Sequence, residues 1–124
     1  MEKRFENKAG RLWLREDGIL QLQPNEGIEF SRENAIEFLS KARSWVEKKT
    51  PLLVDRSSSY STSFEIIDET DEILKTFSAI AYVVNSDAAE KASELAKDLF
   101  FEEMPVKIFF SIEEAVNWLK GFQV

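Results

Sequence analysis

The sequence predicts an α/β domain with a mixed, mostly parallel sheet of four to five strands, opened by an antiparallel hairpin and packed with about four helices. Two short alternating runs flank an Asp-Gly pair near the start. Three apolar runs follow, at 52–54, 78–84 and 105–110, the last interrupted only by Lys107. Segments with helical spacing separate these runs and close the chain. Alternating polar and apolar residues suit a strand with one solvated face, whereas continuous apolar runs suit strands covered on both faces by crossover helices.

In chain order, RLWLRE (11–16) and ILQLQ (19–23) surround Asp17 and Gly18. Asp-Gly tolerates positive φ at both central residues, which predicts a tight hairpin. Pro24 to Gly27 reads as a loop. Ser31 then reads as the N-cap of a helix running to about Lys49, with Phe30 placed to staple it. The apolar stripe of that helix is Ala35, Phe38, Leu39, Ala42, Trp45 and Val46, and Pro51 disfavours helix at Thr50. Residues 64–77 and 87–101 have helical spacing, with Phe64, Ile67, Leu74 and Phe77 on one side of the first. The last helix has a capping box from Ser111 and Glu114, a staple from Phe110 to Ala115, and a stop at Gly121. Trp45, Trp118, Phe100, Phe101, Phe109 and Phe110 are assigned to the core. One domain, residues 1–124, suits a chain of this length.

Composition narrows the chemistry. The 124 residues carry a net charge of -7, and no cationic run exceeds the pair Lys48 and Lys49. Such a balance repels phosphate backbones and anionic membranes, so neither nucleic acid nor a membrane is an expected partner. Histidine and cysteine are both absent. Their absence excludes Ser-His-Asp triads, thiolate nucleophiles and zinc-thiolate sites. No stretch approaches the ~20 apolar residues of a membrane span, and the charged start lacks the apolar centre of a signal peptide. A cytoplasmic location is the expectation.

The hairpin LWLREDGILQL, the strand PLLVD with its serine-rich turn, the strand SAIAYVV and the ending MPVKIFFSIEEAVNWLKG resemble the small bacterial SpoIIAA-like proteins. These share their fold with the sulfate transporter and anti-sigma factor antagonist (STAS) domains. The resemblance spans roughly residues 10–121. It implies a sheet of four or five strands with helices mainly against one face. In the anti-sigma antagonists it also implies a phosphorylatable serine, in an Asp-Ser-Ser-Gly motif, at the start of the helix after the central strand. The matching stretch here is Asp55-Arg56-Ser57-Ser58-Ser59, which inserts an arginine and lacks the glycine. Small single-domain members of the group have no assigned activity.

The candidate site is therefore Asp55, Arg56, Ser57, Ser58 and Ser59, for partner binding or phosphorylation. These residues open a run of seven hydroxyl-bearing side chains, Ser57 to Ser63, at the carboxyl end of a parallel strand, where open α/β sheets bind ligands. The bland alternative is a polar loop that ends in a capping box from Thr62 and Glu65. Asp68, Glu69, Asp71 and Glu72 read as a solvated helix face rather than a metal site, because one helix face rarely converges enough oxygen ligands. No metal, cofactor or catalytic residue is assigned. The leading expectation is a non-enzymatic regulatory or scaffolding module that binds a protein partner through the loop after the third strand. A carrier of a small hydrophobic ligand is the alternative, and an enzyme using Asp55 is the third reading. A sheet covered on one side only would also favour a homodimer through its bare apolar face or an edge.

Overall fold

The computed structural model describes residues 3–27, 29–55, 61–62, 77–85 and 105–123. Six strands form one mixed sheet in the order β1 (Arg4–Asn7), β2 (Gly10–Leu14), β3 (Leu20–Pro24), β5 (Thr50–Asp55), β7 (Phe77–Val83) and β8 (Val106–Phe109). The first two pairings are antiparallel and the last three parallel. Two residues of β4 (Glu29–Phe30) pair in parallel with two of β6 (Ser61–Thr62) as a separate small ladder. The described helices are α1 (Arg32–Trp45) and α2 (Ile112–Lys120). The helical segments expected at 64–77 and 87–101 lie outside the described residues, apart from Phe77.

The sheet has six strands rather than four or five because β1 precedes the expected hairpin. Its sequence, RFEN, holds a single strongly apolar residue, so it becomes a strand only by pairing with β2. There Phe5 sits opposite Leu12 and meets the Phe38 ring of α1 edge-on at 5.2 Å. The hairpin between β2 and β3 is present, but its turn differs from the expected one. Only Gly18 has positive φ, at 84°. The Arg15 N–H donates to the Ile19 carbonyl at 2.9 Å and the Gly18 N–H to the Arg15 carbonyl at 3.0 Å. The loop therefore holds three residues and ends in a left-handed glycine, a pattern that also matches the right-handed twist of the strands. Asp17 keeps φ negative, and its carboxylate accepts from the Ile19 N–H at 3.2 Å.

Helix α1 starts where the capping chemistry places it. The Asn34 N–H donates to Ser31 Oγ at 3.2 Å, and the Ser31 N–H donates to Asn34 Oδ1 at 3.0 Å, so a capping box forms with asparagine in the usual place of Glu or Gln. The helix stops at Trp45 rather than near Lys49. Strand β5 already begins at Thr50, so residues 46–49 are spent reversing the chain. Lys3 Nζ also donates to the Trp45 carbonyl at 2.6 Å, which satisfies one acceptor of the open last turn.

The two described helices cover opposite faces of the sheet; the expectation of helices mainly on one face also concerns the segments at 64–77 and 87–101, which lie outside the described residues apart from Phe77. On one face Phe38, Leu39 and Ala42 of α1 pack with Leu12, Leu22, Leu52, Val54 and Ile80. On the other, Ala115, Val116 and Leu119 of α2 pack with Leu53, Ala79, Ala81, Val83 and Phe109. Strand β5 is consequently buried along its whole length, as its apolar run predicted. Pro51 within it lacks an N–H, and the register with β7 shifts at that point. Phe77, assigned above to a helical stripe, instead opens β7 opposite Thr50 and joins the core shared with α1.

The Ser111 hydroxyl accepts from the Glu114 N–H at 3.4 Å, so the forward half of the expected cap is in place. Phe110 does not join the core: it is 55% exposed at the junction of β8 and α2. Phe109 is buried, whereas Trp45 and Trp118 are half-buried against the two cores. Phe100 and Phe101 lie outside the described residues. Gly121 ends α2 without leaving the right-handed region.

Candidate functional site

The carboxyl ends of β3, β5, β7 and β8 converge on one edge of the sheet, and the residues singled out in the sequence start there. Asp55 is the last residue of β5, opposite Val83 of β7, and is 3% exposed. A carboxylate so placed is held in extended backbone by its pairing with β7 and is largely removed from water. Arg56, Ser57, Ser58 and Ser59 lie outside the described residues, as do Asp68, Glu69, Asp71 and Glu72. Ser61 and Thr62, inside the hydroxyl run, pair as β6 with Glu29 and Phe30 of β4. The described residues on either side of 56–60 are in extended pairing, Asp55 in β5 and Ser61 in β6. The Thr62–Glu65 box falls half outside the described residues.

A second polar region adjoins the first and was not anticipated. Alternation along β2 sets Leu12 and Leu14 toward α1 and Arg11, Trp13 and Arg15 toward the opposite side. On the neighbouring strands, Glu6 and Arg4 sit opposite Arg11 and Trp13, while Gln23 and Gln21 sit opposite the same pair from β3. Arg11 Nη2 donates to Gln23 Oε1, and its guanidinium lies over the Trp13 ring, 5.5 Å from the centroid. Arg15 Nη1 donates to Gln21 Oε1 at 2.6 Å, and its Nε lies 3.2 Å from the Asp17 carboxylate. Gln21 is 5% exposed, so its amide is an interior partner that aims the Arg15 fork. Gln23 and Asp55 each follow the last paired positions of β3 and β5, Leu22 and Val54, which brings the polar row up to the candidate loop.

Of the described helices, only α2 lies on this side, and it is short. Nine residues give a rod of about 13 Å, roughly 10 Å across, enough to shade two or three strands spaced by about 4.8 Å. It lies over β5, β7 and β8, and at its end Gln123 Nε2 donates to the Asp17 carbonyl at 2.6 Å. The signal for the second region was available as Arg-x-Trp-x-Arg at 11, 13 and 15. Charge runs in sequence do not reveal it, because period-two spacing separates cations that share a face.

Among the described residues no cluster of three His, Cys, Asp or Glu side chains is placed to hold a metal ion. No described helix is long and apolar enough to cross a membrane.

Comparison with solved structures shows a SpoIIAA-like fold. The crystal structure of an uncharacterised protein of the DUF3478 family from Shewanella loihica PV-4, at 2.25 Å resolution, superposes with a TM-score of 0.60. The match covers 96% of this chain and 92% of that one at 16% identity, a level that carries the fold alone. No curated protein sequence matches the chain. The family model described as "Domain of unknown function (DUF7793)" matches residues 12–123. The match runs from the first hairpin strand to the end of the last helix, and the chain belongs to that family.

Proposed function

We propose that the chain is a non-enzymatic regulatory or scaffolding module that binds a protein partner through the loop between Asp55 and Ser61. The observation that carries this reading is the placement of Asp55, buried at the carboxyl end of the central strand, with Ser61 paired in β6. Open α/β sheets use the carboxyl ends of their strands for recognition. Arg56 and the serines Ser57 to Ser59 supply donors and acceptors for a polar contact. A phosphate there would add about two negative charges beside Arg56. Catalysis by Asp55 draws less support, because the chain has no histidine or cysteine to partner it, and Asp55 is the one buried carboxylate among the described residues. The carrier reading rests on the aromatic load and the homodimer on an apolar sheet face or an edge; α2 packs over Leu53, Ala81, Val83 and Phe109, which leaves less apolar face for either among the described residues.

The test replaces Ser57, Ser58 and Ser59 together by alanine. Proteins captured from a lysate of the source organism are quantified for the wild type and the variant, and the folded spectrum is checked in parallel. The expected result is an intact fold with selective loss of one captured protein. Identical captured sets would reduce the loop to an ordinary turn.

A further inference from the structure

The open polar side of β1, β2 and β3 is a second surface, and its chemistry stands apart from the loop reading. The chain carries six arginines and a net charge of -7, yet three of the six, Arg4, Arg11 and Arg15, fall on this one face, against the carboxylates of Glu6 and Asp17. The guanidinium forks of Arg11 and Arg15 are aimed in advance by Gln23 and Gln21, and Trp13 lies between them outside both hydrophobic cores. Arginine and tryptophan together, held rigid and half-exposed, are the composition of an interface hot spot. The half-buried Arg15–Asp17 pair, with side chains 27% and 23% exposed, engages Arg15 through Nε, and Nη2 is the arm left for an incoming carboxylate.

We propose that this face docks an extended acidic segment of a partner polypeptide. Arg11 and Arg15 are four residues apart along one line, about 13 Å, the repeat at which an extended peptide presents every second outward side chain on one face. Carboxylates at that spacing meet two planar forks, which suit bidentate pairing, while an apolar residue between them covers the Trp13 ring. A polyphosphate is the poorer fit, because it could pair with the two forks but has no apolar group to cover the Trp13 ring between them.

The experiment uses a short fluorescent peptide with Asp or Glu at alternate positions and a central phenylalanine, beside an otherwise identical peptide in which Asn and Gln replace the acids. Binding is read by anisotropy, and the contact face by amide shifts in a two-dimensional NMR spectrum of the whole chain. The acidic peptide binds, shifts concentrate in β1, β2 and β3, and the amide peptide binds about tenfold weaker or less. The double variant Arg11→Gln with Arg15→Gln loses affinity to the same extent, and Trp13→Phe retains part of it. The proposal is overturned by equal binding of the two peptides, by no binding at millimolar acidic peptide, or by shifts that map elsewhere. An oligothymidylate that binds as tightly and depends on the same two arginines would also overturn it, by assigning the face to nucleic acid. The amide-peptide control needs no variant, so a misfolded double variant does not rescue the proposal.

Discussion

Replacing Gly10 by alanine tests the packing of the amino-terminal strands through the sign of its effect. Gly10 lies in β2 opposite Pro24, and its φ is not positive. On backbone grounds alone, alanine at such a strand position stabilises a protein by about 0.4–1 kcal/mol, because the unfolded chain loses freedom. Here a Cβ would stand 2.5 Å from the Gln23 carbonyl oxygen and 2.8 Å from Pro24 Cα. The nearest atom is about 0.9 Å inside ordinary van der Waals contact, and both neighbours are backbone. Nor can the strands separate freely. The Asn25 N–H donates to the Ala9 carbonyl at 2.8 Å and Asn25 Nδ2 to the Lys8 carbonyl at 3.0 Å, which straps the β1–β2 turn to the loop after β3. Overpacking of this kind costs about 1–3 kcal/mol, and a backbone-on-backbone clash belongs at the upper end. After the unfolded-state gain is subtracted, the net loss is about 2 kcal/mol. With an unfolding entropy of about 2.1 cal/mol/K per residue, that lowers Tm by about 8 °C for a chain of this length. Thermal unfolding followed by circular dichroism reads the shift directly. A Tm equal to or above the wild type would refute the close approach of β2 and β3.

Leu53→Ala should cost about 2–5 kcal/mol, because Leu53 is fully buried in the central strand beneath α2 and truncation leaves a cavity between sheet and helix. A urea midpoint that does not move would show that α2 is not seated there. Ser31→Ala should cost about 1 kcal/mol by removing the acceptor of the Asn34 N–H, and Ser31→Asp should recover most of it. Equal stability of all three proteins would place the start of α1 elsewhere.

Local chemistry made much of this fold legible in the sequence. The hairpin follows from alternation around Asp17 and Gly18, the start of α1 from a serine before a 3.6-residue stripe, and the start of α2 from Ser111 three residues before Glu114. The double burial of β5 follows from an apolar run too short for a helix. Each of these signals lies within a few residues of the structure it specifies. The candidate site was legible only at its anchor, since Asp55 at a strand end is a local fact, whereas the pairing of Ser61 and Thr62 with Glu29 and Phe30 joins segments about thirty residues apart.

What only the tertiary structure decided are the long-range pairings and the covering of faces. RFEN becomes a strand because β2 offers it an open edge and α1 gives Phe5 a place beside Phe38, and nothing within four residues requires it. Period-two spacing in RLWLR determines that Arg11, Trp13 and Arg15 share a face, but not whether that face is roofed. The roof is set by where α2 lands after β8 and by how far a helix of nine residues reaches. That reach buries Leu53, Ala81 and Val83 and leaves the arginines at the edge. The sequence determined the elements and their polarity, and the packing of α2 across half of one sheet face decided which side chains became core and which became surface.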